Sequence, residues 1–385
     1  MPSTRSLVAC LLALSSHVSA VAVSSNVRTL TTTLLASPTG RQSGLNEAAQ
    51  AAGKMWFGTA INIPGPQQDD QHYMSEFRSS RDFGQATPAN SMKYASTEQQ
   101  RGSFNFTAAE EFLSVARGKK IRCHNLIWHR DLPDWLATPK VAWTNATLSA
   151  VLVRHVQTLV RHFGDRCYSW DVVNEAVAED QVQDGTIRYR NATESLWYRH
   201  IGPEFVPMAF RAAQAVIEEE NFQVKLYYND YGIEKRNQKA YAVERLVRQI
   251  QGRGIQIDGI GLESHFAVGE TPSSDKQATN MRMFNNLGVE VAVTELDVRT
   301  PLPPSAADQL QQCRDYYNTV AACKSVEGCV GVTVWDFVDD ASWIPHKFAG
   351  HGYANLFFQK DDDSKLLKKV AYDGALAALE SRASP

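Results

Sequence analysis

Short apolar runs alternate along the chain with longer segments in which apolar residues recur at helical spacing. The apolar runs begin at residues 55, 83, 120, 168, 225, 257, 290 and 330. Helical periodicity is clearest over residues 147–163, 204–220 and 238–251. Strands that alternate with helices form a parallel sheet through right-handed crossovers, and eight such units suggest that the sheet closes on itself. We therefore predict an α/β fold, a single (β/α)8 TIM barrel, with an open doubly wound sheet as the alternative.

Polar and aromatic residues follow the carboxyl ends of most apolar runs. They are Asn90, Lys93, His124, Trp128, Asn174, Glu175, Asn229, Asp230, Glu263, His265, Glu295, Asp297 and Trp335. Burying such groups without partners would cost about 2–7 kcal/mol each. In a barrel, the carboxyl ends of all strands open on one face, where the chemistry takes place. The pattern favours the barrel, and the lack of a glycine-rich phosphate loop after the first run argues against a nucleotide-binding open sheet.

The first 44 residues differ in texture from the rest of the chain. Arg5 precedes the apolar run 7–14, and small residues follow that run. This is the layout of a secretory signal peptide, which we place at residues 1–20, and the apolar run is too short to span a membrane. Residues 21–44 read as a Ser- and Thr-rich leader. We assign residues 45–385 to the barrel domain and predict a secreted, extracellular protein.

Potential N-glycosylation sites agree with this location. The three sequons begin at Asn105, Asn145 and Asn191. The net charge of −3, with no long run of one sign, gives no reason to expect nucleic acid or a membrane as a partner. We expect a monomer.

Five cysteines remain once Cys10 is removed with the signal peptide. An odd number in an oxidising compartment leaves at least one thiol free or bonded to another chain. Cys323 and Cys329 lie six residues apart, between a helical segment and a strand, and we predict that they pair. The pairing of the other three stays open: Cys123, Cys167 and Cys313.

We predict no metal site. The cysteine spacing does not fit a zinc ribbon. His124 and His129 lie five residues apart on one predicted strand, so their side chains would face opposite sides of it.

Two glutamates stand at the ends of strands. Glu175 closes the run WDVVNE, and Glu295 closes the run VAVTE. Hydrolysis of a glycosidic bond uses such a pair, because one carboxylic acid protonates the leaving oxygen while the other carboxylate attacks the anomeric carbon or activates water. A single glutamate at a strand end often forms a salt bridge to a loop, whereas two with polar neighbours favour a glycoside hydrolase.

The residues around these glutamates resemble glycoside hydrolase family 10, the retaining endo-β-1,4-xylanases. The resemblance extends from about residue 45 to the C-terminus. It rests on GTAI at 58–61, TPANSMKY at 87–94, HNLIWH at 124–129, WDVVNEA at 170–176, YYNDYGIE at 227–234, IDGIGLESH at 257–265, VTELDVR at 293–299, VTVWDFVDDASWIP at 332–345 and AYDGAL at 371–376. A lone NEA or TEL triplet is a weak signal, but this many motifs in order on successive strands form a strong one.

The resemblance implies a role for the polar residues at the strand ends. Glu175 would be the acid/base and Glu295 the nucleophile of a double displacement, with their carboxyl groups about 5–5.5 Å apart. Asn174 would bind the sugar 2-hydroxyl, and Asp297 would orient His265, which bonds the nucleophile. The residues expected to bind substrate are Asn90, Lys93, His124, Trp128, Tyr231, Glu263, Trp335 and Trp343. The implied reaction needs no cofactor, and the implied substrate is xylan of the plant cell wall.

The sequence departs from the family pattern at several positions near the strand ends. Ala89 replaces a Glu that bonds the second sugar on the glycone side, which removes a charged hydrogen bond of roughly 1.5–3 kcal/mol. The other departures are Tyr94 for Trp, Cys123 for Gly, Asn125 for Thr, Glu263 for Gln and Asp336 for Gly. We expect those at Ala89, Tyr94, Glu263 and Asp336 to reshape the sugar pocket.

Two alternatives to xylan hydrolysis are considered. A changed pocket fits tomatinase-type members of the family, which remove the oligosaccharide from a steroidal glycoalkaloid or saponin. A non-catalytic glycan-binding barrel would be expected to have lost a catalytic carboxylate, and both are retained. A third carboxyl group, on Glu263, should either raise the pKa of a neighbouring carboxyl group or be protonated itself.

Overall fold

The computed structural model describes residues 43–360 and 364–384. The predicted signal peptide and residues 21–42 of the leader lie outside the described residues. The strands within these ranges are β1 (Trp56–Ile61), β2 (Gln85–Pro88), β3 (Lys120–Cys123), β4 (Ser169–Asn174), β5 (Lys225–Asp230), β6 (Gly259–Leu262), β7 (His265–Ala267), β8 (Glu290–Pro301), β9 (Cys329–Trp335), β10 (His351–Gly352), β11 (Phe357–Phe358) and β12 (Leu367–Lys368). The helices are α1 (Leu45–Ala51), α2 (Gln71–Arg78), α3 (Tyr94–Thr97), α4 (Thr107–Val115), α5 (Asp134–Ala137), α6 (Asn145–Phe163), α7 (Leu196–Ile201), α8 (Phe205–Glu220), α9 (Gln238–Gly252), α10 (Ser274–Asn285), α11 (Ala306–Ser325), α12 (Ile344–Lys347) and α13 (Val370–Leu379).

Eight of the described strands close into a parallel barrel. Strands β1 to β6 pair in chain order, β6 pairs with β8, β8 pairs with β9, and β9 returns to β1. The predicted (β/α)8 barrel is confirmed, and the pairing of Gly58 with Thr333 rules out the open sheet. The last five residues of β8 continue past the barrel, where they pair with β7 and β10.

The three strongest predicted helices are present within two residues of their expected ends. Helix α6 begins after Thr144, whose side chain accepts a hydrogen bond from the backbone N–H of Thr147. Helix α9 begins after Asn237, which caps the N–H of Ala240 in the same way. Helix α8 ends at Glu220 and is capped by Asn221, which has φ +56°, a backbone conformation that asparagine tolerates. In each helix the residues at helical spacing are the buried ones, so the apolar stripe faces the barrel.

The third apolar run does not form one long strand. Strand β3 ends at Cys123, and the His124 ring beyond it is hydrogen-bonded to Asp171 on β4 (Nδ1–Oδ2 2.9 Å). Beyond His124 the chain pairs with β4 again, because residues 126 and 127 donate their N–H groups to carbonyl oxygens of that strand. The prediction that His124 and His129 share one strand is therefore wrong, and strand alternation does not decide their relative direction.

Two glycines on β6 make room for large side chains inside the barrel. Gly259 pairs with Tyr227 and Gly261 pairs with Asn229. A Cβ at Gly259 would lie 2.2 Å from the Tyr227 ring, and a Cβ at Gly261 would lie 2.0 Å from the Asn229 amide oxygen. The absence of a side chain at these positions lets the two β5 residues extend into the barrel, and one of them is central to the site described below.

The surface agrees with the sequence-based expectations as far as it tests them. The side chains of Asn105, Asn145 and Asn191 are exposed, and their glycosylation stays a prediction. Among the described helices, none is long and apolar enough to cross a membrane.

Two disulfides link neighbouring strands and their connections. Cys323–Cys329 closes the turn between α11 and β9, as predicted. Cys123 pairs with Cys167, which joins the end of β3 to the segment that leads into β4. Cys313 is buried and unpaired, which accounts for the odd count.

We expect the two disulfides to stabilise the fold unequally, because they close loops of 44 and 6 residues. Loop-closure entropy corresponds to about 4 kcal/mol for the longer loop and about 2 kcal/mol for the shorter one. The double variant Cys123→Ala/Cys167→Ala should therefore lose about 2 kcal/mol more of the free energy of unfolding than Cys323→Ala/Cys329→Ala. All four cysteines are buried, so each double variant removes two sulfur atoms from buried positions and the two variants can be compared directly. Guanidinium unfolding measures the difference, and equal losses would contradict it.

Candidate active site

The polar residues predicted at the strand ends meet at the face of the barrel where the strands end. Glu175 follows β4 directly, Glu295 lies within β8, and Glu263 follows β6. The ladder continues through these positions, because the N–H of Glu175 donates to the Asn229 carbonyl and the N–H of Glu295 donates to the Glu263 carbonyl. The register of neighbouring strands therefore places the three carboxyl groups around one mouth.

Three residues that follow barrel strands at this mouth have left-handed backbone. Glu175, Ser264 and Asp336 have φ values of +52°, +66° and +64°. Left-handed backbone is unfavourable for residues with a Cβ, by about 1–2 kcal/mol each. Such strain persists where the surrounding contacts enforce it, which is typical of functional sites.

Asn229, at the end of β5, links the carboxyl groups. Its Nδ2 lies 2.8 Å from Glu295 Oε1, 2.8 Å from Asn174 Oδ1 and 3.2 Å from Glu263 Oε1. Its Oδ1 accepts a hydrogen bond from the Thr294 hydroxyl at 2.7 Å, which sets the orientation of the amide. Asn229 therefore holds one oxygen of Glu295 in place from inside the barrel.

The other oxygen of Glu295 faces His265. Nε2 of His265 lies 3.2 Å from Glu295 Oε2, and Nδ1 lies 2.9 Å from Asp297 Oδ2. Burial disfavours the imidazolium, but Asp297 and Glu295 outweigh burial and raise the pKa of His265 to about 10. Burial also opposes the Glu295 carboxylate, yet the His265 hydrogen bond, the charges of His124 and His265 and the Asn229 amide lower the pKa of Glu295. Glu295 is therefore an anion paired with a histidine cation.

Glu175 has the opposite environment. Burial and the negative charge of Asp230 raise its pKa, Arg190 opposes this shift, and the charge of Glu295 adds to it. The Arg190 guanidinium lies 3.3 Å from Glu175 Oε2, while Asn174 Nδ2 lies 3.5 Å from Oε1. Glu175 therefore holds its proton to higher pH than an ordinary glutamate does.

Glu263 is the most deeply buried of the three glutamates, with 2% of its surface exposed. Burial and the charges of Glu295 and Glu175 raise its pKa well above the ordinary value. Of the two outcomes expected from the sequence, the structure favours the second, in which Glu263 is itself protonated. A neutral Glu263 resembles glutamine in charge and adds little repulsion to the mouth.

Three of these groups carry donor atoms suited to a metal. One ligand atom each from Glu263, His265 and Glu295 lies within 4.8 Å of the others. Both ring nitrogens of His265, however, face carboxylates, and its raised pKa keeps the ring protonated. The imidazolium itself supplies the positive charge of this cluster.

Aromatic rings line the mouth beside the histidines. The His124 ring meets Trp335 edge to face at 5.3 Å, and the His265 ring lies 4.9 Å from Trp343. The indole N–H of Trp343 donates to Asp297 Oδ2 at 2.8 Å, so the same carboxylate holds both the ring and the histidine. Trp335 and Trp343 are partly exposed, and their contact with sugar stays a prediction.

A second cluster of predicted binding residues lies after β2 and β3. Lys93 Nζ is 3.0 Å from Asn90 Oδ1 and 2.8 Å from Asp131 Oδ2, and it lies 4.8 Å from the centre of the Trp128 ring. Asn90 is exposed, and Ala89 beside it is partly exposed. The ammonium group of Lys93 is thus held by Asn90 and Asp131.

Tyr231 has its hydroxyl engaged within the protein. The hydroxyl accepts a hydrogen bond from Arg190 at 2.7 Å and donates to Glu179 at 2.5 Å. Its ring is covered by the ammonium group of Lys239 at 3.8 Å. Any contact of Tyr231 with substrate would therefore use the part of the ring that remains exposed.

Two of the departures from the family pattern lie beneath the pocket surface. Tyr94 is 2% exposed and stacks on the His155 ring of α6 at 3.5 Å, so it does not line the pocket itself, and its effect on the pocket stays a prediction. Asp336 is also buried, where it accepts hydrogen bonds from Tyr73 and from the N–H groups that follow it. Burial raises the pKa of Asp336 to about 7.

Three residues important to this geometry had no assigned role in the sequence. Asn229 was visible as a polar residue at a strand end. Asp171 lies inside an apolar strand, where it binds His124 and the buried Arg122. A charged residue within an apolar run can be recognised in the sequence and indicates a buried ion pair. Arg190 lies in a long loop with no periodicity, and nothing in the sequence pointed to it.

The family model for glycosyl hydrolase family 10 matches residues 44–378. Endo-1,4-beta-xylanase D of Talaromyces funiculosus is 45% identical over 342 residues, which cover 88% of this chain and 78% of that protein. The crystal structure of a GH10 xylanase from Bispora sp. MEY-1 with xylobiose has a TM-score of 0.84 and 55% identity, covering 87% of this chain and 99% of that one. The endo-1,4-beta-xylanase XylE of Penicillium canescens has a TM-score of 0.82 and 45% identity, covering 88% and 98%.

The protonation of Glu263 is testable without turnover. Because Glu263 is neutral, Glu263→Gln should leave the titration of Glu175 within about 0.3 pH unit of that in the wild type, while one carboxyl group that titrates above the ordinary range disappears. Carbon-13 NMR titration of the glutamate carboxyl groups, with Glu175→Gln for assignment, measures both changes. A fall of about one unit in the pKa of Glu175 would mean that Glu263 is charged.

Proposed function

The chain belongs to glycosyl hydrolase family 10, and from this membership we propose that it is a secreted endo-1,4-β-xylanase that cleaves xylan by double displacement with retention. Membership makes it a glycoside hydrolase that acts on O-glycosyl bonds. The observation that carries the mechanism is the opposite environment of two glutamates at one barrel mouth. Glu295 lies between His265 and the Asn229 amide, which lower its pKa, whereas burial and the charge of Asp230 raise the pKa of Glu175. Pairs of this kind provide a proton donor and an anionic partner at the same pH.

In the first step, the carboxylic acid of Glu175 donates its proton to the glycosidic oxygen while the Glu295 carboxylate attacks the anomeric carbon. The bond from the anomeric carbon to the leaving sugar breaks, and an ester between that carbon and Glu295 forms. His265 and Asn229 hold the two oxygens of Glu295 before the attack, so little reorganisation is needed when its charge is transferred.

In the second step, the Glu175 carboxylate takes a proton from water, which attacks the anomeric carbon and displaces Glu295. Two inversions give net retention of the β configuration. The Oδ1 of Asn174 accepts a hydrogen bond from the Asn229 amide. The Nδ2 of Asn174 lies near Glu175 and could donate to a sugar hydroxyl. This is consistent with the role of binding the 2-hydroxyl next to the cleaved bond.

The relatives favour xylan over the oligosaccharide of a steroidal glycoalkaloid. The Talaromyces, Bispora and Penicillium proteins described above are all named as xylanases, and the Bispora structure contains xylobiose. A non-catalytic glycan-binding barrel is disfavoured, because such a protein would have no need of two glutamates with opposed pKa shifts. The roles of the Lys93 and Trp335 regions as sugar subsites are part of the proposal and rest on the resemblance of their sequence motifs to family 10.

We further propose that the protein acts outside the cell as a monomer. The signal-like segment at residues 1–20 and the three exposed sequon asparagines support this location. The substrate would be insoluble or soluble plant cell-wall glycan. Mild negative charge gives no attraction to nucleic acid or anionic lipid.

The proposal is tested by incubating the wild-type protein with a panel of β-glycans. Incubation with xylan should release xylo-oligosaccharides that appear first as β anomers in proton NMR, whereas mixed-linkage glucan and saponins should release far less sugar. The α anomer as first product would overturn retention. Preferential release of the oligosaccharide from a saponin would overturn xylan as the substrate.

Substitution of the two glutamates should impair catalysis in different ways. Glu295→Ala should abolish cleavage of every substrate, because no covalent intermediate forms. Glu175→Ala should lose about 10²–10⁴-fold on xylan, but far less in the first step with a 2,4-dinitrophenyl xylobioside, which needs no acid. Glu218→Ala, on the exposed face of helix α8, is the control. Xylan cleavage by Glu295→Ala at the wild-type rate would refute the assignment.

The glycone end of the site should bind short substrates weakly. By resemblance, position 89 contacts the second glycone sugar, and a methyl group there forms no hydrogen bond. The loss of roughly 1.5–3 kcal/mol predicts a kcat/KM for xylotetraose at least about tenfold below that for xylohexaose. Ala89→Glu should restore much of the difference, and the neutral Ala89→Gln should restore less. Equal kcat/KM for the two oligosaccharides in the wild type would remove this expectation.

A further inference from the structure

Arg190 lies on the loop between β4 and α7, which begins at the proposed acid/base. The N–H of Arg190 donates to the Ala176 carbonyl at 2.9 Å, and the N–H of Ala178 donates to the Arg188 carbonyl at 2.9 Å. Val177 and Tyr189 form an antiparallel bridge between these bonds. The loop therefore folds back on itself, and its backbone holds Arg190 against the residues that follow β4.

The side chain of Arg190 reaches the backbone and the carboxyl group of the same glutamate. Its Nε donates to the Glu175 carbonyl oxygen at 2.7 Å, and its Nη2 lies 3.3 Å from Glu175 Oε2. The same Nη2 donates to the Tyr231 hydroxyl at 2.7 Å, and Nη1 lies 3.4 Å from Glu194. The guanidinium group is thereby fixed from three sides, and its contact with the carbonyl oxygen supports the left-handed backbone of Glu175.

Both members of this ion pair are shielded from solvent. The side chains of Arg190 and Glu175 are 12% and 13% exposed. At such exposure the attraction of a cation for a carboxylate is screened less than at the surface. The neutral, protonated form of Glu175 has no comparable attraction to Arg190. Arg190 therefore stabilises the carboxylate of Glu175 and not its carboxylic acid.

We propose that Arg190 is a positioning residue that clamps the acid/base and stabilises its carboxylate once the proton has left. The inference rests on the proposed function, since it concerns the two protonation states that a retaining mechanism requires of Glu175. After the first step Glu175 is an anion in a mouth that is rich in carboxyl groups, and Arg190 offsets that charge until water returns the proton. The same attraction lowers the pH at which Glu175 ceases to be an acid.

Other charges act on the pair from the surrounding elements. Facing groups are Asp230 and Tyr231 at the end of β5, Glu263 after β6, Glu295 on β8, Lys239 on α9, His129 after β3, and Glu179 and Glu194 on the same loop. Of these groups, Asp230 and Glu295 raise the pKa of Glu175 by their negative charge, whereas Arg190 contacts its carboxylate and lowers it. Arg190 thus sets how far the alkaline limit of activity extends.

The pH dependence of kcat/KM on an aryl β-xylobioside with a poor leaving group tests this role. Removing the cation in Arg190→Gln raises the pKa of Glu175, so the acid stays protonated longer and the alkaline limb should move up by roughly one pH unit. The value of kcat should fall, because the carboxylate formed in the first step loses its partner. Arg190→Lys keeps the charge but cannot contact the carbonyl oxygen and the carboxylate of Glu175 with two separate N–H groups, and should show a smaller shift.

Arg188→Gln is the matched control, because Arg188 lies two residues away and pairs with the exposed Asp180. It should keep the wild-type pH profile. An unchanged limb in Arg190→Gln, with activity reduced or not, would overturn the proposal, since a merely structural role lowers activity without moving the limb. If Arg190→Gln does not fold, the lysine variant decides, and a wild-type limb together with a wild-type kcat would overturn it.

Failure of the proposed function would be recognised separately. If the wild-type protein cleaves no xylobioside, the xylanase proposal fails, and carbon-13 NMR titration of Glu175 in the wild type and in Arg190→Gln still tests the ion pair. The titration should move up in the variant by about the same amount as the limb. An unmoved titration would show that Arg190 does not act on the carboxylate.

Discussion

The carboxylate of Glu295 is almost fully withdrawn from water, and an isolated anion at that depth would be strongly destabilised. It stays ionised because one oxygen receives the Asn229 amide and the other faces the imidazolium of His265. The imidazolium in turn depends on Asp297, which also holds the Trp343 indole. These partners come from β5, β7, β8 and the segment after β9, so the charge of a single glutamate depends on the register of several strands at once.

The barrel meets this requirement through small features far from the carboxylate itself. The glycines of β6 leave space in which Asn229 enters the interior, and Thr294 fixes which end of its amide points to Glu295. The break in the sixth apolar run at Ser264, with its left-handed backbone, separates Glu263 from His265. Glu263 then lies deep in the mouth as a neutral acid, while the histidine lies against β8. Packing, backbone conformation and protonation are thus linked in this part of the molecule.

The sequence predicted the barrel and the two central glutamates because both depend on patterns that a single chain displays. Strand and helix periodicity identified the eight units, and the ends of the strands showed where polar groups meet. The exact ends of β3 and the burial of Tyr94 were missed, because each depends on a contact with a distant element: Asp171 for the turn at His124, and His155 for the tyrosine. Arg190 was invisible for the same reason, since its importance arises only when the loop folds back on Glu175.

The division of labour between the two glutamates can be argued from their surroundings alone. Glu295 lies between a histidine cation and an amide donor, so its anionic form is favoured and an attacking role fits it. Glu175 lies beside Asp230 and faces the charge of Glu295, so its protonated form is favoured and a donating role fits it. The two assignments reinforce each other, because an ionised Glu295 is itself one of the reasons that Glu175 retains its proton. Once Glu295 has formed an ester, that negative charge is gone and Glu175 loses its proton more readily, which suits the base required in the second step. The reaction therefore changes the electrostatic state of the acid/base in the direction that the next step needs, and the ion pair with Arg190 acts in the same direction.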